Sequence, residues 1–478
     1  MRVVMLASEA HPYAKTGGLA DVLAALPPAL ARHGVDVTVC IPGYRAARRG
    51  VVVEPGPRVH APVSSRMEPC EILRIPGAPV RTVLVRADRY FDRDGIYGER
   101  GGEYDDNAER FAFFCRAALE WLRLEEPPDV LHLHDWQAAL AAAFLRATAD
   151  LYPELARVRV VLTIHNLAYQ GRFPPSDWHL LNLDAGCFVP DLLEFYGQIN
   201  YLKAGILFAD LVTTVSARYA AEIQTPAFGE GLDGVLRLRR DELRGIQNGI
   251  DDAEWNPATD RHLAARYDAN DRTGKVRCKA ALQAELGLAA RPEVPLFAVV
   301  SRLAEQKGID LLLDVLPDVL AATDVQLAVL GSGERRYEDG LRALADGFPG
   351  RVALRLAFDE ALAHRIEAGG DVFLMPSRFE PGGLNQLYSL RYGTVPVVHA
   401  TGGLDDTVAE FDPKSGRGTG FKFSEYTAEG LRGAIDRALA VRGTPAAWDR
   451  VLRNGMAEDF SWRRVAGEYR RLYEEALR

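Results

Sequence analysis

Cysteine is scarce in this chain. Five residues, Cys40, Cys70, Cys115, Cys187 and Cys278, are scattered over 478 positions, and no two form a CxxC pair. An odd, dispersed set builds neither a disulfide framework nor a structural zinc site, and it fits a reducing cytoplasm. An excess of positive charge is also missing, since the formal net charge is −9. A protein that grips a nucleic-acid backbone needs a strongly basic surface, so no nucleic-acid partner is expected. A local basic site for one small anion stays open. Apolar runs long enough for a membrane span are absent, so no membrane partner is expected. The first strand is read from Arg2, with no apolar region and cleavage site after it, and no signal peptide is expected. Solenoid-period repeats and low-complexity tracts are not found either.

What remains is an ordinary globular composition, 48% hydrophobic and 26% charged, at a length that suits two or three domains. Short runs rich in Val, Ile and Leu alternate with helical patterns. One series covers 3–7, 36–41, 81–85, 130–134, 158–164 and 211–215. A second covers 296–300, 325–330, 352–356, 371–375 and 395–399. Continuous rather than alternating apolar character indicates parallel strands buried on both faces. Two such series imply an α/β protein of two Rossmann-like, doubly wound domains. The break is expected in the turn-rich stretch from Ile246 to Asn256. Near the end, Trp462, Val465, Ala466, Tyr469, Leu472, Tyr473 and Ala476 form one apolar stripe, so a helix there must dock on something.

Five stretches carry candidate chemistry. In Lys15-Thr16-Gly17-Gly18-Leu19-Ala20-Asp21, a glycine pair opens a helix after the first strand. Free N–H groups there suit an anion, with Lys15 adding a point charge, although a tight turn with an incidental lysine explains the residues equally well. Pro27-Pro28 is expected to break or kink that helix. His132-Leu133-His134-Asp135-Trp136 ends a strand, where ligands of open α/β sheets bind. A polar rim with Trp136 as a sugar-stacking platform is more economical than a metal site, because no further ligand follows at suitable spacing. His165 and Asn166 lie in Thr163–Gly171, which also caps a strand; His165 acts on substrate or satisfies a loop carbonyl.

Arg302 and Lys307, in Ser301–Gly308, are spaced to hold a diphosphate and to stabilise charge on it as it leaves; a solvated basic loop is the bland reading. In Pro376–Leu384, Gly382, Gly383 and Leu384 open another helix N-terminus, with the acid Glu380 beside it. Three patterns are discarded. Gly331-Ser332-Gly333 lacks the third glycine of a dinucleotide fingerprint, and Gly274-Lys275 lacks the rest of a phosphate-binding loop. Asp92-Arg93-Asp94 is read as a loop despite its DxD form.

Together these motifs, in order from about residue 1 to residue 475, resemble bacterial glycogen synthase and plant starch synthase. The resemblance implies the GT-B fold, with two Rossmann-like domains facing a cleft and the C-terminal helix crossing back to the first domain. The corresponding boundaries are 1–245, 246–457 and 458–478. It implies a retaining transfer of glucose from ADP-glucose to the 4-hydroxyl of glycogen or another α-1,4-glucan, without a metal or other cofactor. Arg302 and Lys307 would hold the diphosphate, helped by N–H groups near Gly382, Gly383 and Leu384. Glu380 and His165 would stand by the donor glucose. Lys15, Gly17, Gly18, Asp21, Tyr97, Asp135, Asn166 and Asn248 match cleft positions, and Phe358 falls where an aromatic faces the adenine. Gly382, Gln137 and Asn385 depart from residues frequent in the family, which touches the shape of the sugar pocket and not its charge. A UDP-glucose-using or maltosyl-forming enzyme, or a non-catalytic glucan-binding protein of the same fold, is the competing expectation.

Overall fold

The computed structural model describes residues 1–99 and 102–478. The chain forms two units: Met1–Gly249 together with Trp462–Arg478, and Ile250–Ser461. The divisions fall a few residues beyond the expected 245/246 and 457/458, because Gly249 packs against Trp462 while Ile250 N–H donates to Phe460 O at 2.8 Å. All five cysteines are free thiols. Among the described residues, no helix is long and apolar enough to cross a membrane.

In the first unit a nine-stranded sheet runs, in spatial order, Leu243–Gly245, Leu211–Thr214, Arg159–Ile164, Val130–His134, Arg2–Leu6, Asp36–Pro42, Arg81–Arg86, Arg66–Arg74 and Glu54–Val63. The first seven pair in parallel, and the last two form an antiparallel hairpin. The order reverses between Arg2–Leu6 and Val130–His134, which makes their carboxyl ends the switch point where a doubly wound sheet receives ligands. The hairpin is missing from the sequence reading. Its outer strand carries Pro55, Pro57 and Pro62, which hide the pattern and are tolerated at an edge, where no further ladder is needed.

The helix Gly18–Arg32 continues through Pro27 and Pro28, so of the expected break or kink the break does not occur. Leu19, Val22, Leu23, Leu26, Ala29 and Leu30 form one buried face on both sides of the prolines. An interior proline costs about 3 kcal/mol, while each buried leucine contributes about 1.5–3 kcal/mol, so a helix pinned at both ends by burial survives.

The second unit carries a six-stranded, wholly parallel sheet in the order Val352–Arg355, Gln326–Leu330, Leu296–Val300, Val372–Met375, Val395–His399 and Phe421–Phe423. Its switch point lies between Leu296–Val300 and Val372–Met375. The two candidate loops at 301–308 and 376–384 follow directly from those strands.

The last helix, Trp462–Ala476, buries the whole apolar stripe read from the sequence in the core of the first unit. It also reaches a polar chain inside that core. The Tyr473 hydroxyl meets His132 Nδ1 at 2.8 Å, His132 Nε2 meets Thr163 Oγ1 at 2.7 Å, and Thr163 Oγ1 meets Thr213 Oγ1 at 2.7 Å. His132 is therefore a satisfied core residue rather than part of a ligand rim. A buried acceptor or donor left unpaired costs about 1–3 kcal/mol, so Tyr473→Phe is expected to lower unfolding free energy by that amount. Chemical denaturation monitored by tryptophan fluorescence checks this, and an unchanged midpoint would contradict the role given to the hydroxyl.

Candidate active site

At the switch point of the second unit, two loops are tied into one surface. Arg378 N–H donates to Gln306 O at 2.9 Å, and Gln306 Nε2 donates to Phe379 O at 3.3 Å. Gly308, at φ +70°, brings its Cα against the Pro376 carbonyl, where a Cβ would stand 2.0 Å from the oxygen. This approach lets Lys307 Nζ donate to Glu380 Oε2 at 2.5 Å. Ser377 Oγ, fully buried, donates to the same oxygen at 3.0 Å. Arg302 is exposed nearby in sequence and makes a long contact of 3.4 Å to Gln306 Oε1. The discarded glycines have a packing role here. Gly331 and Gly333 let the 331–334 turn lie against Ser301 and Leu303, with Leu303 N–H donating to Ser332 O at 2.9 Å.

The helix Asn385–Tyr392 starts beside this pair. Its N-cap, Leu384, offers no side-chain acceptor, and its carbonyl accepts from Leu387 and Tyr388 N–H at 2.9 and 3.0 Å, so Asn385 and Gln386 N–H are the groups left without an intrahelical partner. Gly382 and Gly383 form the turn that leads into it. Gln386 Nε2 donates to the Gly382 and Gly383 carbonyls at 3.0 and 3.2 Å, which turns those oxygens inward. Phe358, after the strand Val352–Arg355, is 84% exposed.

In the first unit the picture is more enclosed. The Gly17–Gly18 helix start does not offer an empty anion cradle. Glu9, 3% exposed, already accepts from Thr16 N–H at 2.5 Å, Thr16 Oγ1 at 2.6 Å and Gly17 N–H at 3.2 Å. The reason is local: Glu9 lies just past the carboxyl end of the first strand, within reach of the helix it precedes. Tyr97 donates to Glu9 Oε1 at 2.5 Å and lies 2.7 Å from Ser8 Oγ. Burial first, and the Glu9 charge second, push the Tyr97 phenol well up. Sequence reading missed Glu9. The only available signal was its place at a strand end. Lys15 Nζ pairs with Asp21 Oδ1 at 2.6 Å.

Asp135 begins the helix Asp135–Ala147 with φ +56°, a strained value for a residue with a side chain. Its Oδ1 accepts from His165 N–H at 2.7 Å. Burial pushes the Asp135 carboxyl up to about 7, against the pull of backbone N–H donors from His165 and Asn166. His165 Nε2 lies 3.0 Å from His134 Nδ1, which leaves Nδ1 as the ring atom not engaged by His134. Burial depresses the His165 imidazole to about 3, so it is neutral. Asn166 Oδ1 accepts from Ala168 N–H at 3.0 Å and shapes the loop.

Trp136 is not a stacking platform. It is 8% exposed, packs edge-on to Phe111 at 4.9 Å, and fills the space above Gly171, where a Cβ would meet its ring at 2.4 Å. Position two of a helix beside a parallel sheet faces the core, and the ring goes with it. Asn248 is buried with Oδ1 lacking a partner among the described residues. The Asp92 and Asp94 carboxylates are taken by Arg45 at 3.1 and 2.6 Å, which suits a loop.

A family model described as the starch synthase catalytic domain matches residues 2–238, and one described as glycosyl transferases group 1 matches residues 287–454. The chain is 48% identical to a glycogen synthase of Koribacter versatilis, over 100% of this chain and 98% of that one. It belongs to the glycogen and starch synthase family. A glycogen synthase of Anaeromyxobacter dehalogenans is 51% identical, with 99% and 98% of the two chains covered. The catalytic domain of starch synthase IV from Arabidopsis thaliana, bound to ADP and acarbose, superposes with a TM-score of 0.90 at 34% identity over 99% of each chain. The two Rossmann-like units are thus those of a GT-B glycosyltransferase, and the chain is a retaining enzyme of the glycogen synthase type.

The histidine environment has a pH consequence. His132 and His165 are both depressed to about 3 by burial, below the ordinary 6.5. The unfolded chain then binds more protons between those values, so their stabilising contribution is complete above 6.5 and is lost as pH falls toward 3. Imidazole ¹⁵N NMR is expected to show both rings neutral at pH 5. A His165 midpoint above 6 would contradict the enclosed, neutral site.

Proposed function

We propose that the second unit grips the diphosphate of ADP-glucose through Arg302, Lys307 and the N–H groups that open the helix Asn385–Tyr392. The observation that carries this reading is the half-buried Lys307–Glu380 pair at the switch point, beside a helix start with no cap of its own. A diphosphate brings more negative charge than one carboxylate, so it competes for Lys307 and leaves Glu380 free to accept from sugar hydroxyls. The exposed Phe358 ring offers a face to the adenine, and Asn248 brings an unpaired buried carbonyl that suits a donor hydrogen.

The first unit supplies contacts to the sugar. A glycosyl transition state resembles an oxocarbenium ion, and a protonated imidazole beside it would repel the growing charge. His165, held neutral by burial, donates from Nδ1 without that penalty. Asp135 and Asn166 offer acceptors, and Lys15 with Asp21 lines the loop that Glu9 and Tyr97 hold in place. Gly17 and Gly18 act through the shape of that loop, since Glu9 occupies the Gly17 N–H. The leaving phosphate departs from the face on which the acceptor 4-hydroxyl attacks and takes its proton, so retention needs no covalent intermediate with the protein. Catalysis rests on positioning and on charge stabilisation of the leaving diphosphate. Partners are ADP-glucose and an α-1,4-glucan, with no nucleic acid or membrane, and the five free thiols suit a cytoplasmic location.

Contacts to the diphosphate strengthen as the bond breaks, so their loss falls on kcat more than on KM. Arg302→Ala and Lys307→Ala are each expected to cost about 2–4 kcal/mol in the chemical step. Steady-state rates at saturating ADP-glucose test this, and a near-wild-type kcat in either variant would remove the leaving-group role. Glucose incorporation into glycogen is expected to be much faster from ADP-glucose than from UDP-glucose. It should persist after exhaustive EDTA treatment, because Arg302, Lys307 and a helix N-terminus already supply the positive charge. A collapse restored by Mg²⁺ or Mn²⁺ would refute a metal-free transfer.

A further inference from the structure

A second cluster in the unit Ile250–Ser461 uses none of the residues above. Glu254, Glu360 and His364 each bring one ligand atom to within 4.8 Å of the others. Glu360 and His364 lie four apart on the helix Glu360–Gly369, so both project from one face. Glu254 comes from the turn after Ile250, and its neighbour Trp255 lies flat on the His364 ring, 3.7 Å away and tilted by 11°. That stack fixes the plane of the imidazole.

His364 is the decisive member. It is 1% exposed. Its Nδ1 meets Asp260 Oδ2 at 2.7 Å, and the Tyr392 hydroxyl donates to the same oxygen at 2.6 Å. With Asp260 and Tyr392 gathered on the Nδ1 side of the ring, Nε2 is the nitrogen left without that support. That Nε2 is buried and has no hydrogen-bond partner among the described residues. Unpaired buried polar atoms are rare and costly. An imidazole held by a carboxylate on one nitrogen and bare on the other is the arrangement that supports metal ligation. The two glutamates add a second strain. Two carboxylates brought this close repel each other when both are ionised. A bound cation relieves the repulsion and pairs the free nitrogen at once.

We propose that Glu254, Glu360 and His364 form a binding site for one divalent transition-metal cation of the zinc class, with Asp260 as its outer support. One imidazole nitrogen and two carboxylate oxygens suit such an ion, with remaining positions left to water. The role is structural. Trp255 stacks on its other face against Tyr388 at 3.7 Å, and Tyr388 belongs to the helix Asn385–Tyr392. The cation ties the Glu254–Trp255 turn to the helix Glu360–Gly369 and so braces the helix whose start faces the diphosphate.

The test uses the full chain without a histidine tag, stripped with a chelator and dialysed. Zn²⁺ is titrated by calorimetry, and Co²⁺ by its visible d–d absorption. One ion per chain is expected, with a rise in Tm when Zn²⁺ saturates. Glu254→Gln and Glu360→Gln lie at exposed positions and are expected to keep the fold, with circular dichroism as the check. Each is expected to weaken Zn²⁺ binding at least about tenfold and to diminish the Co²⁺ bands, while EDTA-treated activity stays at the wild-type level. No binding by the wild-type chain, or binding in either variant weakened less than that, overturns the proposal. The readouts are affinity, spectrum and Tm, so failure here is distinct from failure of metal-free transfer.

Discussion

The second unit depends on how closely two backbones approach. Gly308 meets the Pro376 carbonyl with no room for a Cβ, and Gly402 meets the Glu380 carbonyl in the same way. Those contacts hold the loops from two neighbouring parallel strands in one layer, which is what places Lys307 on Glu380. Any side chain at Gly308 would force the loops apart, and it would also have to adopt a left-handed backbone. The placing of the ammonium on the carboxylate would be disturbed although neither had changed. The chemistry of charge therefore rests on a steric condition set at a residue that carries no side chain.

The two units solve opposite electrostatic problems. In the second, a lysine and a glutamate stay paired, a state that an anionic ligand can exchange. In the first, His165 is stripped of charge by burial, and the Asp135 carboxyl is raised toward neutrality. A polar but uncharged surface suits sugar hydroxyls, which need donors and acceptors in fixed positions more than field strength. A charged surface suits a diphosphate. The division of labour read from the motifs has this physical basis in each half separately.

Much of this was legible in the sequence, and the failures are specific. Parallel strands announced themselves as apolar runs, and the last helix through its stripe, because burial dictates residue type there. The Arg302–Lys307 and Glu380–Leu384 loops were legible because chemistry-bearing residues followed strand ends. Trp136 was misjudged because an aromatic after a strand reads alike whether it faces core or solvent. Glu9 was missed because two of its partners are backbone N–H groups, which leave no trace in residue identity, and a third, Tyr97, lies far away in sequence. The helix through Pro27 and Pro28 was misjudged because local propensity cannot register the burial of Leu26 and Leu30 against distant elements. The Glu54–Val63 edge strand was hidden by its prolines.

The returning tail has a consequence for biosynthesis. The chain leaves the first unit at Gly249 and re-enters it at Trp462, so the second unit is, topologically, an insertion. Its ends are stitched to each other by Ile250 and Phe460. On the ribosome all the strands of the first unit precede the insertion, but its last helix follows it. Until the stretch from Trp462 onward emerges, the nascent first unit exposes an apolar strip along its sheet, and the His132 ring lacks its Tyr473 partner. The part of the protein made first is thus the last to be finished. During that interval its unfinished face is a natural client surface for chaperones, a vulnerability that the mature enzyme no longer shows.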